Sequence, residues 1–219
     1  WGRQYGAHYE NGKLANEGRI YRIWPKKISP KNNTNTHRLK NIKQWSLNEL
    51  MADLGSHLPV WRTNAQEELI KRGHQTLDLL QTTLEKDSKN KSLETWTAWT
   101  IGRIKKSHEL SEKNLNQKIQ SIRIQTHNKI INPDFHKYFN HPNARIRHEA
   151  VMAIRQLKKS EYVGHLKNLG KIEKDRIVFY SIWGALMDLC SDDDLKNMVN
   201  EEAPGLRLAA LLALLEKDN

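Results

Sequence analysis

Cysteine is almost absent from this sequence, and its scarcity excludes several kinds of site. The 219 residues include one cysteine, Cys190, so the chain can form neither an internal disulfide nor a Cys-x-x-Cys metal site. A c-type haem needs the motif Cys-x-x-Cys-His, because two thioethers anchor the porphyrin and the histidine ligates the iron. We therefore expect no haem or other cofactor in this chain, and we interpret Cys190 as a buried, inert thiol.

Long hydrophobic runs are missing as well. The sequence contains no run of 18 apolar residues, which predicts that it has no transmembrane helix. Only 37% of the residues are hydrophobic, and the mean hydropathy is −0.78. This composition is polar for a fold with one deep core, and it favours a thin, two-layer array of repeats.

The common catalytic and phosphate-binding motifs are also absent. There is no His-Glu-x-x-His motif, no Gly-x-Ser-x-Gly elbow and no glycine-rich phosphate loop. His136, His141 and His148 are close in sequence, but we expect them on different structural elements. The sequence therefore predicts no catalytic, cofactor-binding or metal-ligating residue, and we expect this chain not to be an enzyme.

The chain lacks an initiator methionine and a secretory signal at its start. It begins at Trp1 and ends in Glu-Lys-Asp-Asn, so we expect a segment of a longer protein that is soluble when isolated. The net charge of +11 permits binding to nucleic acid or anionic lipid without requiring it. The excess is uneven: residues 1–50 have a balance of +7 and residues 191–219 a balance of −4.

Residues 1–44 are predicted to form an extended arm, and residues 45–219 a helical domain. Residues 18–23, GRIYRI, alternate like a strand and precede a turn-rich linker at 29–37. No second strand is evident in 46–219, so its partner lies either in a preceding domain or in residues 1–10. The helical part begins at Ser46, because Ser46-Leu47-Asn48-Glu49 is a capping box.

One helical pattern recurs through residues 61–214. An apolar residue, often followed by arginine, precedes small or apolar residues four, seven and eight positions later. The copies begin at Trp61, Leu93, Ile122, Ile146, Val178 and Leu206. Such a stripe buries one side of a helix, and alanine within it allows a neighbouring helix to approach closely. The pattern predicts an all-α fold, a right-handed α-solenoid (α-α superhelix) of about six helical hairpins.

The stretch 141–150, HPNARIRHEA, resembles the second-helix signature of HEAT-like, armadillo-like helical repeats. That signature is a turn with proline or asparagine, then an Ile-Arg or Val-Arg pair, then spaced alanines. The resemblance covers about residues 46–219, and the copies at Leu93 and Ile122 depart from it.

A more specific resemblance comes from GRIYRI together with residues 46–73, SLNELMADLGSHLPVWRTNAQEELIKRG. Both are similar to the middle of large planctomycete-type proteins described as membrane-bound dehydrogenases. Those proteins resemble a sorbosone-dehydrogenase-like propeller, followed by HEAT repeats and a c-type cytochrome. The resemblance implies a multidomain, periplasmic or cell-envelope parent whose haem and catalytic parts lie outside this chain, with neighbouring domains as partners.

Nine basic and aromatic residues are candidates for contact with a partner. Arg62, Arg147 and Arg207 share one position of the pattern, and Trp96 and Trp99 share one helical face. The candidates are Arg62, Arg103, Lys105, Lys106, Arg123, Arg147, Arg207, Trp96 and Trp99. They could line a groove that meets phosphates and stacked bases. We favour the simpler interpretation, in which the arginines pair with carbonyls or acids of adjacent repeats and the tryptophans fill the core.

Two functions remain open at this point. The favoured one is a non-catalytic scaffold or protein-interaction module. The alternative is a nucleic-acid-binding helical-repeat protein, such as a DNA-glycosylase-like enzyme. Fold alone does not separate them, because helical repeats support both.

Overall fold

The computed structural model describes residues 9–10, 13–14, 35–86, 89–106 and 112–217. The chain divides into two compact units, residues 1–36 and residues 37–219. In the first unit, Tyr9–Glu10 pairs with Lys13–Leu14 as an antiparallel ladder of two residues each. The strand predicted at 18–23 lies outside the described residues.

The described part of the second unit is almost wholly helical, which confirms the all-α prediction. Its α-helices are α1 Leu47–Leu54, α2 Pro59–Arg72, α3 Leu77–Glu85, α4 Lys91–Lys105, α5 Leu115–Asn128, α6 Ala144–Leu157, α7 Val163–Ile172, α8 Arg176–Leu189, α9 Asp192–Val199 and α10 Pro204–Lys217. A 3-10 helix at Pro133–Asn140 precedes α6. Two shorter 3-10 helices, Thr36–Leu39 and Ile42–Gln44, precede α1.

Local sequence explains where these helices begin. The predicted capping box is present at α1, where Ser46 Oγ accepts from Glu49 N at 3.2 Å and Glu49 Oε2 accepts from Ser46 N at 2.7 Å. Asparagine or aspartate caps four of the longer helices, because its side-chain oxygen satisfies a first-turn N–H group. These N-caps are Asn90, Asn114, Asn143 and Asp175. Proline starts α2 and α10, where its missing N–H is not needed.

Six helices of 14 or 15 residues, which we call the long helices, carry the repeat. They are α2, α4, α5, α6, α8 and α10, and each packs against the next in this order. A shorter helix packs beside five of them: α1 on α2, α3 on α4, the 3-10 helix on α6, α7 on α8, and α9 on α10. In five of the long helices the predicted pattern starts at the third helical residue.

The exception is α5, where the predicted start at Ile122 lies five residues out of phase. The third residue of α5 is Gln117, and the buried residues of α5 follow those of α6 closely when Gln117 is aligned with Ile146. Arg123 consequently aligns with Met152 and does not share the position of Arg147. The pattern search missed this phase because the buried positions of α5 are largely polar.

The buried polar side chains of α5 find hydrogen-bond partners within the protein. Gln117 Nε2 donates to Leu84 O and to Glu94 Oε1, both at 3.0 Å. Gln125 Nε2 donates to Ser121 Oγ at 3.1 Å. A buried amide that keeps its hydrogen bonds avoids most of the desolvation penalty, so polar residues are tolerated here.

The apolar core forms two clusters that meet at α5. One cluster contains α1 to α4 residues such as Leu50 and Leu69, together with Ile124 of α5. The other contains Ile119 and Ile122 of α5 and the buried residues of the helices that follow. The two sides of α5 therefore belong to different clusters.

Residues 37–44, which the sequence assigned to the arm, belong to the helical unit. His37 is buried, and its Nε2 lies 2.8 Å from Oδ2 of Asp53 in α1. Arg38 Nε donates to both Asp53 oxygens, at 3.1 and 3.0 Å. The second compact unit accordingly begins at His37, and the contacts of His37 and Arg38 with Asp53 hold this segment on α1.

Candidate functional site

One side of the long helices carries side chains that recur at the same helical positions, and they range from exposed (Arg123 and Met152) to buried (Ser181 and Gly184). Counting from the first residue of each long helix, the sixth, ninth and thirteenth residues lie along one helical face. We call this surface, taken over α2, α4, α5, α6 and α8, the ladder face. Its ninth residues are Glu67, Trp99, Arg123, Met152 and Gly184.

Side-chain links join each long helix to the next along this face. Between α2 and α4, Arg103 Nη1 donates to Glu67 Oε1 at 2.5 Å. Between α4 and α5, Trp99 Nε1 donates to Gln120 Oε1 at 2.9 Å. Between α5 and α6, Arg123 forms a two-pronged ion pair with Glu149, as described next.

The Arg123–Glu149 pair is the central link. Arg123 Nε donates to Glu149 Oε2 at 2.9 Å, and Nη2 donates to Oε1 at 2.5 Å. Two further links join α6 to α8: the contact of His148 Nδ1 with Ser181 Oγ at 2.6 Å, and Arg155 Nε donating to Asp188 Oδ2 at 2.6 Å. Most of the charges that line this face are therefore neutralised within it.

Two grooves flank the central ion pair. A groove of about 270 Å³ lies between Trp99, Arg123 and Met152. A second groove of about 540 Å³ lies on the other side of the pair and is lined by residues including Arg145 and Ile177. Met152 is 38% exposed and Ile177 is 64% exposed, so both grooves offer apolar surface to solvent.

The pattern arginines mostly serve packing in this structure. Arg62 Nη1 donates to Ser56 O at 2.6 Å, and its guanidinium lies 5.5 Å from the ring centre of Trp96. Arg147 Nη1 donates to His141 O and Pro142 O at 2.8 and 3.0 Å. Both contacts reach back to the turn before the arginine's own helix.

Arg147 also pairs with the following repeat. Its Nε and Nη2 donate to the two oxygens of Glu173, each at 2.7 Å, just ahead of α8. Burial alone would raise the pKa of Glu173, but hydrogen bonds from Arg147 and from the backbone of Asp175 outweigh it and hold that pKa below its usual range. Arg207 occupies the same pattern position in α10, but its side chain is exposed and makes no ion pair among the described residues.

The remaining candidates lie in different places. Lys105 ends α4 and Lys106 caps it in the left-handed region, with φ 49°. Trp96 lies half-buried beneath Arg62, and Trp99 is held by its bond to Gln120. The structure thus brings Trp99 and Arg123 together in one groove, and it separates Arg147 and Arg207 from them.

Sequence reasoning missed Glu149 and Met152, which form the centre of the ladder face, and the neighbouring His148. The available signal was the helix phase: once the N-caps Asn114 and Asn143 are aligned, the ninth residues of α5 and α6 fall on one face. That alignment would have placed Arg123 beside the acid Glu149.

Within the described ranges, no three His, Cys, Asp or Glu side chains lie close enough together to hold a metal ion. Two thioether cysteines for a c-type haem are not available, since the sequence has Cys190 alone. None of the described helices is both long and apolar enough to cross a membrane.

No family model matches this chain, and no curated protein matches it. Its proposed function accordingly rests on the repeat geometry and on the ladder face.

Proposed function

We propose that this chain is a non-catalytic scaffold, a HEAT-like solenoid that binds a protein partner along its ladder face. The observation that carries the proposal is the common register of the long helices. Five of the six start the pattern at their third residue, and all six contact their neighbours in chain order. Helical-repeat proteins are built in this way, from units that contact only the adjacent units.

The chemistry of the face favours protein over nucleic acid. Non-specific nucleic-acid binding depends on lysines and arginines that are free to replace counterions at phosphates. Arg103 and Arg123 on this face are instead engaged by carboxylates. Half-exposed apolar side chains beside closed ion pairs resemble the mixed polar and apolar surface that protein interfaces use.

We propose further that the scaffold belongs to a larger periplasmic or cell-envelope protein of the dehydrogenase–cytochrome type. The support for this step is the resemblance of GRIYRI and of residues 46–73 to that class. On this proposal the scaffold spaces a propeller from a cytochrome, while catalysis and the haem belong to those other domains.

Removing the last repeat tests the solenoid. A chain that ends at Cys190 lacks α9 and α10, and a solenoid should keep its other helices folded, because stability is a sum of local terms. Far-UV circular dichroism should then show a helical signal reduced in proportion to the helices removed, with a cooperative melt. Collapse of the whole helical signal would reject the repeat architecture.

A photo-crosslinking residue at Met152 tests the ladder face, with one at Leu39 as a matched exposed control. A protein captured from Met152 alone is then purified, and its Kd is measured for the wild type and for Met152→Glu. We expect at least about tenfold weaker binding for the variant, a loss of about 1.4 kcal/mol. Equal affinity of the two would reject the ladder face as the binding site.

Duplex DNA provides the contrasting measurement. The scaffold should bind it weakly at about 50 mM salt and not detectably at about 200 mM salt, as purely electrostatic contacts do. Submicromolar binding that persists at the higher salt, and weakens with Arg123→Gln, would favour the nucleic-acid function instead.

A further inference from the structure

The last long helix exposes leucines at its fifth and eighth positions, and the eighth position is buried in the first four long helices. Leu208 and Leu211, the fifth and eighth residues of α10, are 49% and 45% exposed. They lie about one turn apart on the same side of the helix, opposite the buried Leu206, Ala210 and Ala213. Terminal repeats of solenoids normally present a polar outer side, so this surface is unusual for the end of a stack.

The same positions in the preceding long helices show what this side does. In α6 the fifth, eighth and twelfth residues face the next long helix: His148 and Arg155 bond to α8, and Val151 between them is buried. At the eighth position the exposed fraction is low in each of the first four long helices. The values are Gln66 7%, Ala98 3%, Ile122 0% and Val151 0%.

The comparison of α6 with α10 also indicates the chemistry of the missing neighbour. Both helices have 14 residues, and a shift of 60 residues aligns them end to end. Val151 is covered by α8, and Arg147 is paired with Glu173 in the turn before α8. In α10 the equivalent residues are Leu211, which is 45% exposed, and Arg207, which has no ion-pair partner among the described residues.

We infer that the Leu208–Leu211 face of α10 docks a further helical hairpin of the α7–α8 type, contributed by another helical-repeat segment. Its second helix lies on the leucines, and a carboxylate in the turn ahead of that helix pairs with Arg207. The inference rests on the repeat architecture proposed above, and it adds a partner at the end of the stack to the partner on the ladder face.

A second copy of this chain fits the face less well. Stacked head to tail, the leucines of one copy would meet the sixth, ninth and thirteenth residues of α2 in the other. Those residues are Asn64, Glu67 and Lys71, which are larger than Ser181, Gly184 and Asp188 at the same positions of α8. The turn before α2, residues 55–58, also contains no carboxylate that could pair with Arg207. Stacked back to back, two copies would bring together two Arg207 side chains with no carboxylate in the equivalent turn.

The chain supplies its own probe for this docking. In the test protein, residues 1–217 are followed directly by a second copy of residues 158–190, so that α10 is continued by the segment that continues α6. The appended hairpin should dock on α10 and raise the thermal midpoint by at least about 4 °C, since each kcal/mol shifts a chain of this size by about 2–4 °C.

The controls use the two leucines. Leu208→Glu with Leu211→Glu should abolish the gain in the extended protein, and should change the midpoint of the original chain by less than about 2 °C. Leu208→Gln with Leu211→Gln replaces that pair if the glutamates prevent folding. Leu39→Glu, at a leucine that is 83% exposed elsewhere, should leave the gain intact.

Absence of a gain, or a gain that survives the leucine substitutions, would overturn the inference. So would sedimentation showing that the original chain is a dimer and that the leucine variant is a monomer, since a second copy would then be the occupant. If the appended hairpin gives no gain but the chain truncated at Cys190 still folds, the docking partner is rejected and the proposed solenoid is retained. Collapse in the truncation test would reject both.

Discussion

Replacing Arg147 by methionine should destabilise the helical unit far more than the same change at Arg207. Arg147 is 16% exposed in its side chain and Glu173 is 1% exposed, so the ion pair is largely shielded from water. The methionine keeps much of the length of the arginine stem but removes every donor. Glu173 would then retain only the backbone N–H groups of Lys174 and Asp175, at 3.0 and 2.8 Å from Oε1.

The size of the effect follows from the buried carboxylate. Removing one partner of a buried ion pair costs about 3–5 kcal/mol, because the remaining charge is uncompensated. We take about 3 kcal/mol, since two backbone donors remain on Glu173. At about 2–4 °C per kcal/mol, Arg147→Met should lower the thermal midpoint by about 6–12 °C.

The assay is thermal and urea unfolding followed by circular dichroism, with Arg207→Met as the matched control. Arg207 is exposed, so its replacement should change the free energy of unfolding by less than about 0.5 kcal/mol. Adding Glu173→Gln to Arg147→Met should recover part of the loss, because it removes the buried charge. A loss below about 1 kcal/mol for Arg147→Met, or equal losses at both arginines, would refute the packing role of the pattern arginine.

Three further predictions concern other parts of the helical unit. Burial tends to raise the pKa of Asp53, but its hydrogen bonds with Arg38 and His37 hold this pKa lower than in the unfolded chain, where it is about 3.9. Asp53 therefore stabilises the fold above about pH 4, and this contribution is lost as the pH falls through the folded pKa. In Asp53→Asn, the free energy of unfolding should be lower at neutral pH and should depend less steeply on pH in the acid range. Gly102→Ala should lower the free energy of unfolding by about 1–2 kcal/mol, because the new Cβ would collide with Ile124. Gly164→Ala, where the Cβ meets open space, should raise the free energy of unfolding by up to about 1 kcal/mol. Changes of the same sign for both variants in urea titrations would contradict this. Asn114→Ala should lower the free energy of unfolding by about 2 kcal/mol, since Asn114 both caps α5 and donates to a buried carboxylate of α4 at 2.5 Å, and an unchanged urea midpoint would count against that double role.

The sequence predicted the helices well wherever apolar stripes and capping residues agree. The Ser46 capping box starts α1, Ser191 starts α9 in the same way, and the stripes at Ile146 and Val178 begin at the third residue of α6 and α8. In these segments local preference and burial indicate the same register, which is what makes a pattern reliable.

Prediction failed where polar groups are buried. The stripe of α5 was placed five residues late because Gln117 and Gln125 occupy core positions, and a search for apolar spacing does not detect them. Residues 37–44 were assigned to the arm for the same reason: His37 docks through a hydrogen bond to Asp53, and neither residue is apolar. Buried polar pairs depend on three-dimensional contact between distant segments, and periodicity carries no information about them.

For the candidate site, the sequence indicated the residue types but not their individual partners. Arginine and tryptophan were singled out, and Arg123 and Trp99 do lie on the ladder face. Their partners Glu149 and Gln120 come from the following helices, so only the register between helices shows that Arg123 is paired with an acid. The two grooves beside the Arg123–Glu149 pair also depend on the register between these helices.

The polar core of α5 has a consequence for how the unit unfolds. Hydrogen bonds between amides contribute about 1 kcal/mol each and tie neighbouring segments together less strongly than a continuous apolar core does. Because the two apolar clusters meet only across this helix, native-state hydrogen exchange should separate two foldons, α1 to α4 and α6 to α10. The groove between Trp99, Arg123 and Met152 spans that seam, so a ligand seated there would couple the two foldons into one cooperative block.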